Sequence, residues 1–353
     1  MKQSVLKFTA VLLCFSFFSC TKNVIETSFY YWKTKFSISS AEKKVLQELN
    51  TKVLYVRFFD VDVSEGTEKP LPIAVLEGVD SIPKKMQVIP VIFITNRTFL
   101  NLKNDEVVLL AKNVVSKINS ITNNYNELQF DCDWSAKTKE NYFFFLEKVK
   151  KLISKNVKLS CTIRLHQVKY TVKTGVPPVN RGVLMFYNMG DLSDMNGESS
   201  IYNTKVAEKY TSFLKTYELP LDVALPIFKW YVHYRNNTVI GLISKMDTPK
   251  INDITNFSVL TNSPLEKGGR GIDSENNTKF NVRTDHLENG IFYRTGDVLK
   301  FETISKEQLI EAARLLRQNL KQENRKVIFY DLDENNLNYY DKEIFTKVIT
   351  AFN

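Results

Sequence analysis

Two acidic residues lie close together at the end of an apolar stretch. The segment FDCDWS, residues 130–135, contains Asp131 and Asp133 with Cys132 between them. In a β-strand alternate side chains point to the same face, so both carboxylates would share one face and the thiol would occupy the other. Two carboxylates about 7 Å apart and shielded from water repel each other. One of them is then expected to hold a proton, or a cation must lie nearby, and either arrangement suits general acid/base chemistry.

Other groups that could contact a substrate follow neighbouring apolar stretches. They are polar or aromatic and stand where each stretch ends: Arg164 and His166 in TIRLHQ, Tyr187 and Asn188 in LMFYNMGD, Trp230 and Tyr231 in PIFKWYVHYR, and Asp331 in KVIFYDLD. Arg164 and His166 are two residues apart and would share one face of their strand. We expect one of these two basic residues to compensate the charge of Asp131 and Asp133.

Eight apolar stretches alternate with segments of helical periodicity. The stretches centre near residues 30, 55, 90, 130, 162, 185, 225 and 328, and their apolar cores are typical of strands that are covered on both faces. Ser39 with Glu42, and Ser305 with Gln308, form capping boxes that mark the starts of two helices. The alternation predicts an α/β protein folded as a closed (β/α)8 TIM barrel, with an open doubly wound sheet as the alternative.

The seventh and eighth stretches are separated by a segment of different composition. Residues 236–300 are rich in Asn, Thr, Asp and Gly, so we expect an irregular insertion there, within a barrel domain that spans residues 28–353. The run LDVALPIFKWYVHYR before it predicts a single strand. Active sites of TIM barrels lie at the C-terminal ends of the strands, where the polar and aromatic residues above fall.

The N-terminal residues differ from the rest of the chain. Residues 1–20 contain two lysines, the apolar run FTAVLLCFSFF and then Ser-Cys; this run is too short to span a bilayer, which takes about 20 residues. The FFSC ending resembles a bacterial lipoprotein signal, which implies that Cys20 is lipidated and that residues 21–27 are a tether. The alternatives are a plain secretory signal or a short uncleaved anchor. The lipoprotein interpretation predicts a protein of the bacterial cell envelope, lipid-anchored to a membrane.

Composition and motifs exclude several classes of function. Hydrophobic residues make up 43% of the chain and charged residues 25%, which is typical of a globular protein. The net charge of +9 comes from lysines scattered along the chain, so nucleic acid is not an expected partner. No Gly-rich phosphate motif follows the first strand, and we expect no cofactor.

Cys132 and Cys161 are expected to be buried thiols that face the helices, with a disulfide as the alternative.

The fourth and sixth strands resemble those of glycoside hydrolase family 18, the chitinase-like barrels. That family carries D-x-x-D-x-D-x-E on the fourth strand, where Asp131 and Asp133 match the second and third acids and Trp134 follows. It carries M-x-Y-D on the sixth strand, where Met185 and Tyr187 match. The resemblance covers most of residues 28–340, as a pattern of strands with two short motifs. It implies a TIM barrel that acts on carbohydrate.

The same comparison shows three departures from the family pattern. Ser135 stands where the family has the glutamate that protonates the glycosidic oxygen, Asn188 replaces the sixth-strand aspartate, and Leu128 replaces the first acid. The pKa of a serine hydroxyl is far above neutrality, so Ser135 could not deliver that proton. A simpler interpretation of Ser135 is a cap for a helix that begins near Lys137.

Three hypotheses follow for the predicted pocket. In the first, the protein is a glycoside hydrolase with an unusual acid/base: Asp133 transfers the proton, Asp131 sets its charge state, and His166 or Asp331 completes the pair. In the second, the protein is a catalytically inactive glycan-binding or scaffold lipoprotein. In the third, Asp131, Asp133 and His166 bind a metal, although no short-spaced histidine motif supports it.

The first two hypotheses share one set of groups that would contact a sugar. Aromatic rings stack on sugar rings, whereas amide, hydroxyl and charged groups bind the sugar hydroxyls. The residues assigned to these contacts are Trp134, Arg164, Tyr187, Asn188, Trp230, Tyr231 and Asp331. The expected partners are therefore a carbohydrate and, through Cys20, a membrane.

The lipoprotein interpretation predicts the effect of one substitution. Cys20→Ser removes the thiol that would carry the lipid, so the variant should move from the membrane fraction to the soluble fraction. Fractionation of cells expressing each protein measures this, with Cys132→Ser as the matched control. Retention of the Cys20→Ser protein in the membrane fraction would contradict the interpretation.

Overall fold

Eight parallel strands form a closed barrel. The computed structural model describes residues 25–63, 69–83, 85–260, 276–321 and 325–352. A nine-stranded sheet contains the eight barrel strands. The pairing of the first two strands along the chain, Ile25–Tyr31 and Val53–Val63, closes the ring. This confirms the predicted TIM barrel, and each of the eight apolar stretches supplies one strand. The sheet consists of β1 (Ile25–Tyr31), β2 (Val53–Val63), β3 (Pro70–Ile73), β4 (Gln87–Ile94), β5 (Glu127–Asp131), β6 (Lys158–Arg164), β7 (Arg181–Met185), β8 (Leu221–Pro226) and β16 (Arg325–Tyr330), of which β3 alone is antiparallel.

Helices connect most of the barrel strands and cover the outside of the barrel. Both predicted capping boxes are confirmed, because Ser39 accepts the backbone N–H of Glu42 and Ser305 accepts that of Gln308. Between β2 and β4 the described residues contain the antiparallel strand β3 and a short 3₁₀ turn. The helices are α1 (Ser40–Glu48), α2 (Asn104–Ile121), α3 (Lys139–Leu152), α4 (Leu165–Lys169), α5 (Thr171–Thr174), α6 (Thr204–Thr211), α7 (Lys306–Asn319), α8 (Glu334–Leu337) and α9 (Lys342–Phe352).

The fifth barrel strand ends earlier than the sequence predicts. β6 stops at Arg164, and the following LHQVK forms α4. The Gln167 side chain accepts the backbone N–H of Arg164 at 2.7 Å and caps this helix, while Leu165 and Val168 are buried at helical spacing. The expectation that Arg164 and His166 share a strand face is therefore wrong.

The segment after β8 contains a second sheet. It is antiparallel, in the order β10-β9-β15-β12-β11, and a hairpin of β13 and β14 lies between β12 and β15 in the chain. Tyr231, Phe280 and Phe301 belong to its separate apolar core. The strands are β9 (Trp230–Arg235), β10 (Thr238–Ile243), β11 (Phe257–Leu260), β12 (Lys279–Val282), β13 (His286–Glu288), β14 (Ile291–Tyr293) and β15 (Val298–Glu302).

The run before the insertion is two strands rather than the single strand that was predicted. β8 ends at Pro226 in the barrel, and β9 begins at Trp230 in the second sheet. β9 pairs antiparallel with both β10 and β15, and its residue Tyr231 packs in the second core. Residues beyond Trp230 are thereby drawn away from the end of the barrel.

The barrel interior contains a polar cluster near the N-terminal ends of the strands. Lys326 Nζ lies 2.8 Å from a carboxylate oxygen of Glu127, whose other oxygen accepts the hydroxyl of Ser160 at 2.8 Å. These contacts satisfy groups that would be costly to bury alone. Cys132 and Cys161 are buried free thiols, as predicted.

The N-terminal expectations fall mainly outside the described residues. Residues 1–24, which include Cys20, are not among them. Residues 25–27, expected in the tether, form the start of β1. Within the part of the chain that the structure describes, no helix has the length and apolar character needed to cross a bilayer.

Candidate functional site

Two adjoining pockets open at the C-terminal ends of the barrel strands. The first has a volume of about 340 Å³ and we call it the aromatic pocket; the second, of about 300 Å³, we call the Asp133 pocket. Both are lined by Arg164, Tyr187 and Asn188, so together they form one groove. This is the end of the barrel where TIM-barrel enzymes place their active sites.

Asp131 lies at the inner side of the aromatic pocket. It is the last residue of β5 and is only 5% exposed. The hydroxyl of Thr162 on β6 donates to its carboxylate at 2.6 Å. Burial raises the pKa of Asp131 to about 6, with Arg164 opposing the rise and Asp133 adding to it. Its carboxyl group can therefore exchange a proton near neutral pH.

Asp133 is held by an arginine from the next strand. Arg164 Nε donates to one oxygen of the carboxylate and Nη2 to the other, the latter at 3.2 Å. The carboxylate of Asp131 and that of Asp133 both raise the pKa of the Arg164 guanidinium. This confirms the expectation that a basic residue on the neighbouring strand compensates the acid pair. With both oxygens engaged, Asp133 is placed to fix Arg164 rather than to transfer a proton.

His166 lines the Asp133 pocket from an unexpected element. It is exposed and lies on the short helix α4. Desolvation lowers the pKa of its imidazole, and the Asp133 carboxylate opposes the fall. No hydrogen bond joins His166 to Asp131 or Asp133 among the described residues, in keeping with its position on a helix rather than on the strand.

Aromatic rings form one side of the aromatic pocket. Tyr330 is central, with ring centroids 5.6 Å from Trp32, 5.4 Å from Tyr187 and 5.8 Å from Phe228. The Phe228 ring in turn lies 5.1 Å from that of Trp230. Trp32, Trp230 and Tyr330 are partly exposed, whereas Tyr187 and Phe228 are buried, so these three rings are the ones of the cluster best able to contact a ligand.

Two aromatic residues assigned to the pocket lie elsewhere. Trp134 is fully buried, stacks on Tyr142 with centroids 5.3 Å apart, and donates its indole N–H to the carbonyl of Thr174. Tyr231 is buried in the core of the second sheet, where its ring lies 5.1 Å from Phe301. The assignment of these two residues to sugar stacking is therefore wrong, because neither ring has a face open to the groove.

Asp331 lies in the aromatic pocket, and the insertion supplies its partner. Lys245, in the turn after β10, places its Nζ 2.5 Å from a carboxylate oxygen of Asp331. The other oxygen accepts the amide N–H of Asn336 at 2.8 Å. Asp331 is 1% exposed, and burial raises its pKa while Lys245 opposes the rise. The second sheet thus contributes a cation to the pocket.

The end of the sixth strand brings Tyr187 and Asn188 to the border between the two pockets. Asn188 has a positive φ of 56° and donates its backbone N–H to Ile201 at 2.8 Å. Two residues on, a Cβ at Gly190 would lie 2.7 Å from the backbone of Ser200, so only glycine fits this close approach. The turn leaves the Asn188 side chain exposed in both pockets.

Ser135 lies in the turn that leads into α3 and lines neither pocket. Its backbone N–H donates to the hydroxyl of Thr138 at 2.9 Å, and its carbonyl accepts the N–H of Lys139. Thr138 occupies the N-cap position of α3, without a side-chain cap hydrogen bond. The expected cap role of Ser135 is therefore wrong, because Ser135 lies in the turn three residues before that position.

The metal hypothesis finds no cluster to support it. Across the described ranges there is no group of three or more His, Cys, Asp or Glu side chains placed to bind a metal ion. Asp131 and Asp133 are instead engaged by Thr162 and Arg164.

Several groove residues were not singled out from the sequence. Trp32 follows β1 directly and Tyr330 precedes Asp331, so both could have been found by applying the strand-end rule to every strand. Lys229 stands three residues after β8 and could have been found in the same way, whereas Lys245 could not, because its place depends on how the insertion folds back over the barrel.

Comparisons with known proteins agree on the fold. No protein-family model and no curated protein matches the chain. Among solved structures, the spore cortex-lytic enzyme SleL of Bacillus megaterium aligns with a TM-score of 0.56 and 15% identity, over 95% of this chain and 76% of that one. Chitinases from Chromobacterium violaceum and Bacteroides thetaiotaomicron align with TM-scores of 0.53 and 0.54, each at 10% identity over 93% of this chain and 99% and 97% of theirs. The chain has the fold of the chitinase-like (β/α)8 barrels.

Asp131→Asn should change how stability depends on pH. The pKa of Asp131 is about 6 in the folded chain and about 3.9 in an unfolded one. The folded state therefore binds this proton more tightly, and the contribution of Asp131 to the free energy of unfolding falls as the pH rises from about 4 to about 6. Relative to the wild type, the variant should gain about 2 to 3 kcal/mol of unfolding free energy between about pH 4 and about pH 7. Urea denaturation of both proteins at pH 4 and at pH 7 measures the free energy of unfolding. If that free energy changed with pH by the same amount in the variant and the wild type, the raised pKa of Asp131 would be contradicted.

Proposed function

We propose that this protein binds a glycan in the groove at the C-terminal end of its barrel. The observation that carries the proposal is the make-up of the aromatic pocket: Trp32 and Trp230 are partly exposed beside two buried carboxyl groups, Asp131 and Asp331. An indole face packs against the apolar face of a sugar ring, and buried polar groups bind and orient its hydroxyls. Arg164 and Asn188 extend these polar contacts into the Asp133 pocket.

The comparisons support the same class of ligand. The solved structures of similar fold are described as chitinases and a spore cortex-lytic enzyme. Their identity to this chain is low, so the likeness concerns the fold, and the proposal for this chain depends on its own groove.

Attachment to a membrane through Cys20 is a further part of the proposal. The apolar run and the FFSC ending of residues 1–20 support it. A lipid there would hold the barrel at the surface of a bacterial membrane, in the cell envelope, with its first strand only a few residues from the anchor.

Trp32→Ala should weaken glycan binding. The substitution removes an exposed ring from the pocket wall, and loss of one aromatic contact of this kind corresponds to about a tenfold or greater loss of affinity. Isothermal titration of the full-length chain with the oligosaccharide that binds best in a glycan panel measures the change. Phe292→Ala is the matched control, because Phe292 is an exposed aromatic residue of the hairpin and lines neither pocket.

Two results would contradict the binding proposal. One is a panel in which no glycan binds the wild-type chain. The other is a Trp32→Ala protein that is folded and binds as tightly as the Phe292→Ala control, since the groove would then not be the site.

Hydrolysis of the bound glycan is a second candidate function, and the pKa of Asp131 favours it. A carboxyl group with a pKa of about 6 holds a proton at mildly acidic pH and can donate it to a leaving oxygen. Asp133, assigned as the acid/base from the sequence, has both oxygens bound by Arg164. In this candidate Asp131 protonates the leaving oxygen as the glycosidic bond breaks, solvent water attacks the anomeric carbon, the proton lost by that water goes to solvent, and Asp131 regains a proton from solvent. Asp133 positions Arg164.

Comparison of Asp131→Asn with Asp133→Asn tests the second candidate. If Asp131 donates the proton, Asp131→Asn should lower kcat by about a hundredfold or more and leave glycan binding in place. The wild-type rate should fall as the pH rises above about 6, because the protonated form is then lost. Assays of oligosaccharide cleavage across pH measure both effects. Binding with no turnover by the wild-type chain would show that the protein is a binding protein alone.

A further inference from the structure

Among the residues that the structure describes, the carboxyl, lysine and arginine side chains that line the groove are paired, with one exception. Asp133 is bound by Arg164, and Asp331 is bound by Lys245. The remaining carboxyl, Asp131, accepts a hydrogen bond from Thr162 and sits beside Arg164. Every acid that lines the two pockets therefore has a partner of its own in the protein.

Lys229 is the exception. It lines the aromatic pocket next to Trp230, and across the described ranges no carboxylate lies within ion-pair distance of its ammonium. Its Nζ lies 5.7 Å from the centroid of the Tyr339 ring. Loss of solvent lowers the pKa of Lys229, because the charge is desolvated without an acid to offset it.

A second lysine without an acid partner lies at the other end of the groove. Lys169 Nζ is surrounded by aromatic rings, 5.0 Å from the centroid of Tyr210, 5.4 Å from Tyr170 and 5.9 Å from Phe213. Tyr210 also lines the Asp133 pocket, so Lys169 stands just beyond that pocket. The described residues supply no carboxylate to either lysine.

We propose that the groove takes an acidic glycan, in which Lys229 binds a carboxylate of a sugar unit seated against Trp230. This inference rests on the proposed glycan binding and names the class of glycan. An ammonium that is partly removed from water is stabilised by an anionic partner, and a charge-assisted hydrogen bond is stronger than one between neutral groups. Lys169 then meets a second acidic group of a longer chain, beyond the Asp133 pocket.

Two probes that differ in whether their acidic sugars carry a carboxylate or a neutral hydroxymethyl group separate this inference from the parent proposal. The first is a hyaluronan tetrasaccharide, which alternates an N-acetylated sugar with a uronic acid. The second is the same tetrasaccharide with its carboxylates reduced to alcohols. We expect the full-length chain to bind the acidic probe more tightly, and we expect this preference to shrink as salt is added.

Lys229→Met tests the residue. It keeps most of the aliphatic stem and removes the charge, so affinity for the acidic probe should fall about tenfold, the size of one lost charge-assisted hydrogen bond. Affinity for the reduced probe should stay within about twofold, and Lys229→Arg should retain most of the preference. Lys155→Met is the matched control, because Lys155 is exposed in the loop before β6, at the opposite end of the barrel.

The possible results are distinguishable. Equal binding of the two probes would contradict the proposal that the glycan is acidic, but would leave the proposed glycan binding intact. The same conclusion would follow if neutral glycans of the panel bound and neither probe did. Equal losses in Lys229→Met and Lys155→Met would also overturn it, because the effect would then follow net charge alone. Failure of every glycan to bind would overturn the proposed function itself. Lys169→Met gives an independent reading of the same preference if Lys229→Met fails to fold.

Discussion

The pairing of β1 with β2 closes the sheet, and the functional groove depends on that closure. Ser28 through Tyr31 pair in parallel with Val53 through Val56, while the other edge of β1 pairs with β16. In an open sheet the ends of the first and fourth strands would lie far apart. In the closed ring the C-terminal ends of all eight strands surround one opening, so Trp32 after β1 and Asp131 on β5 line the same pocket.

Two carboxylates at this opening each form an ion pair with a nearby basic side chain. Asp133 follows the end of β5 and binds Arg164 at the end of the adjacent strand β6, and Asp331 binds Lys245 from the insertion. A buried carboxylate without such a partner would be costly, and Asp131 shows the consequence, since burial shifts its pKa toward neutrality. Asp133 and Asp331 are each held by a cation, whereas Asp131 has a hydroxyl as its hydrogen-bond partner. A site of this kind can bind and orient hydroxyl groups whether or not it cleaves a bond.

The second sheet takes part in the site as well as extending the fold. β9 leaves the barrel directly after the seventh strand, and the turn after β10 returns Ser244 and Lys245 to the aromatic pocket. Glu302 of β15 accepts the indole N–H of Trp230 at 3.0 Å, which fixes the orientation of that ring. The insertion therefore shapes the pocket wall from outside the barrel, and Lys229 lies in the short connection between the two sheets.

The sequence by itself determined the barrel, the acid pair at the end of its fourth strand and the basic partner on the fifth. These features depend on local periodicity and on the order of strands along the chain, which a single sequence displays. Only the tertiary structure decided which aromatic rings face the groove. Trp134 and Tyr231 stand near strand ends in the sequence, but α3 and the second sheet bury them. Trp32 lines the aromatic pocket because the barrel closes, and Lys245 lines it because the insertion folds back over the barrel. Both arrangements depend on contacts between residues that are far apart in the chain.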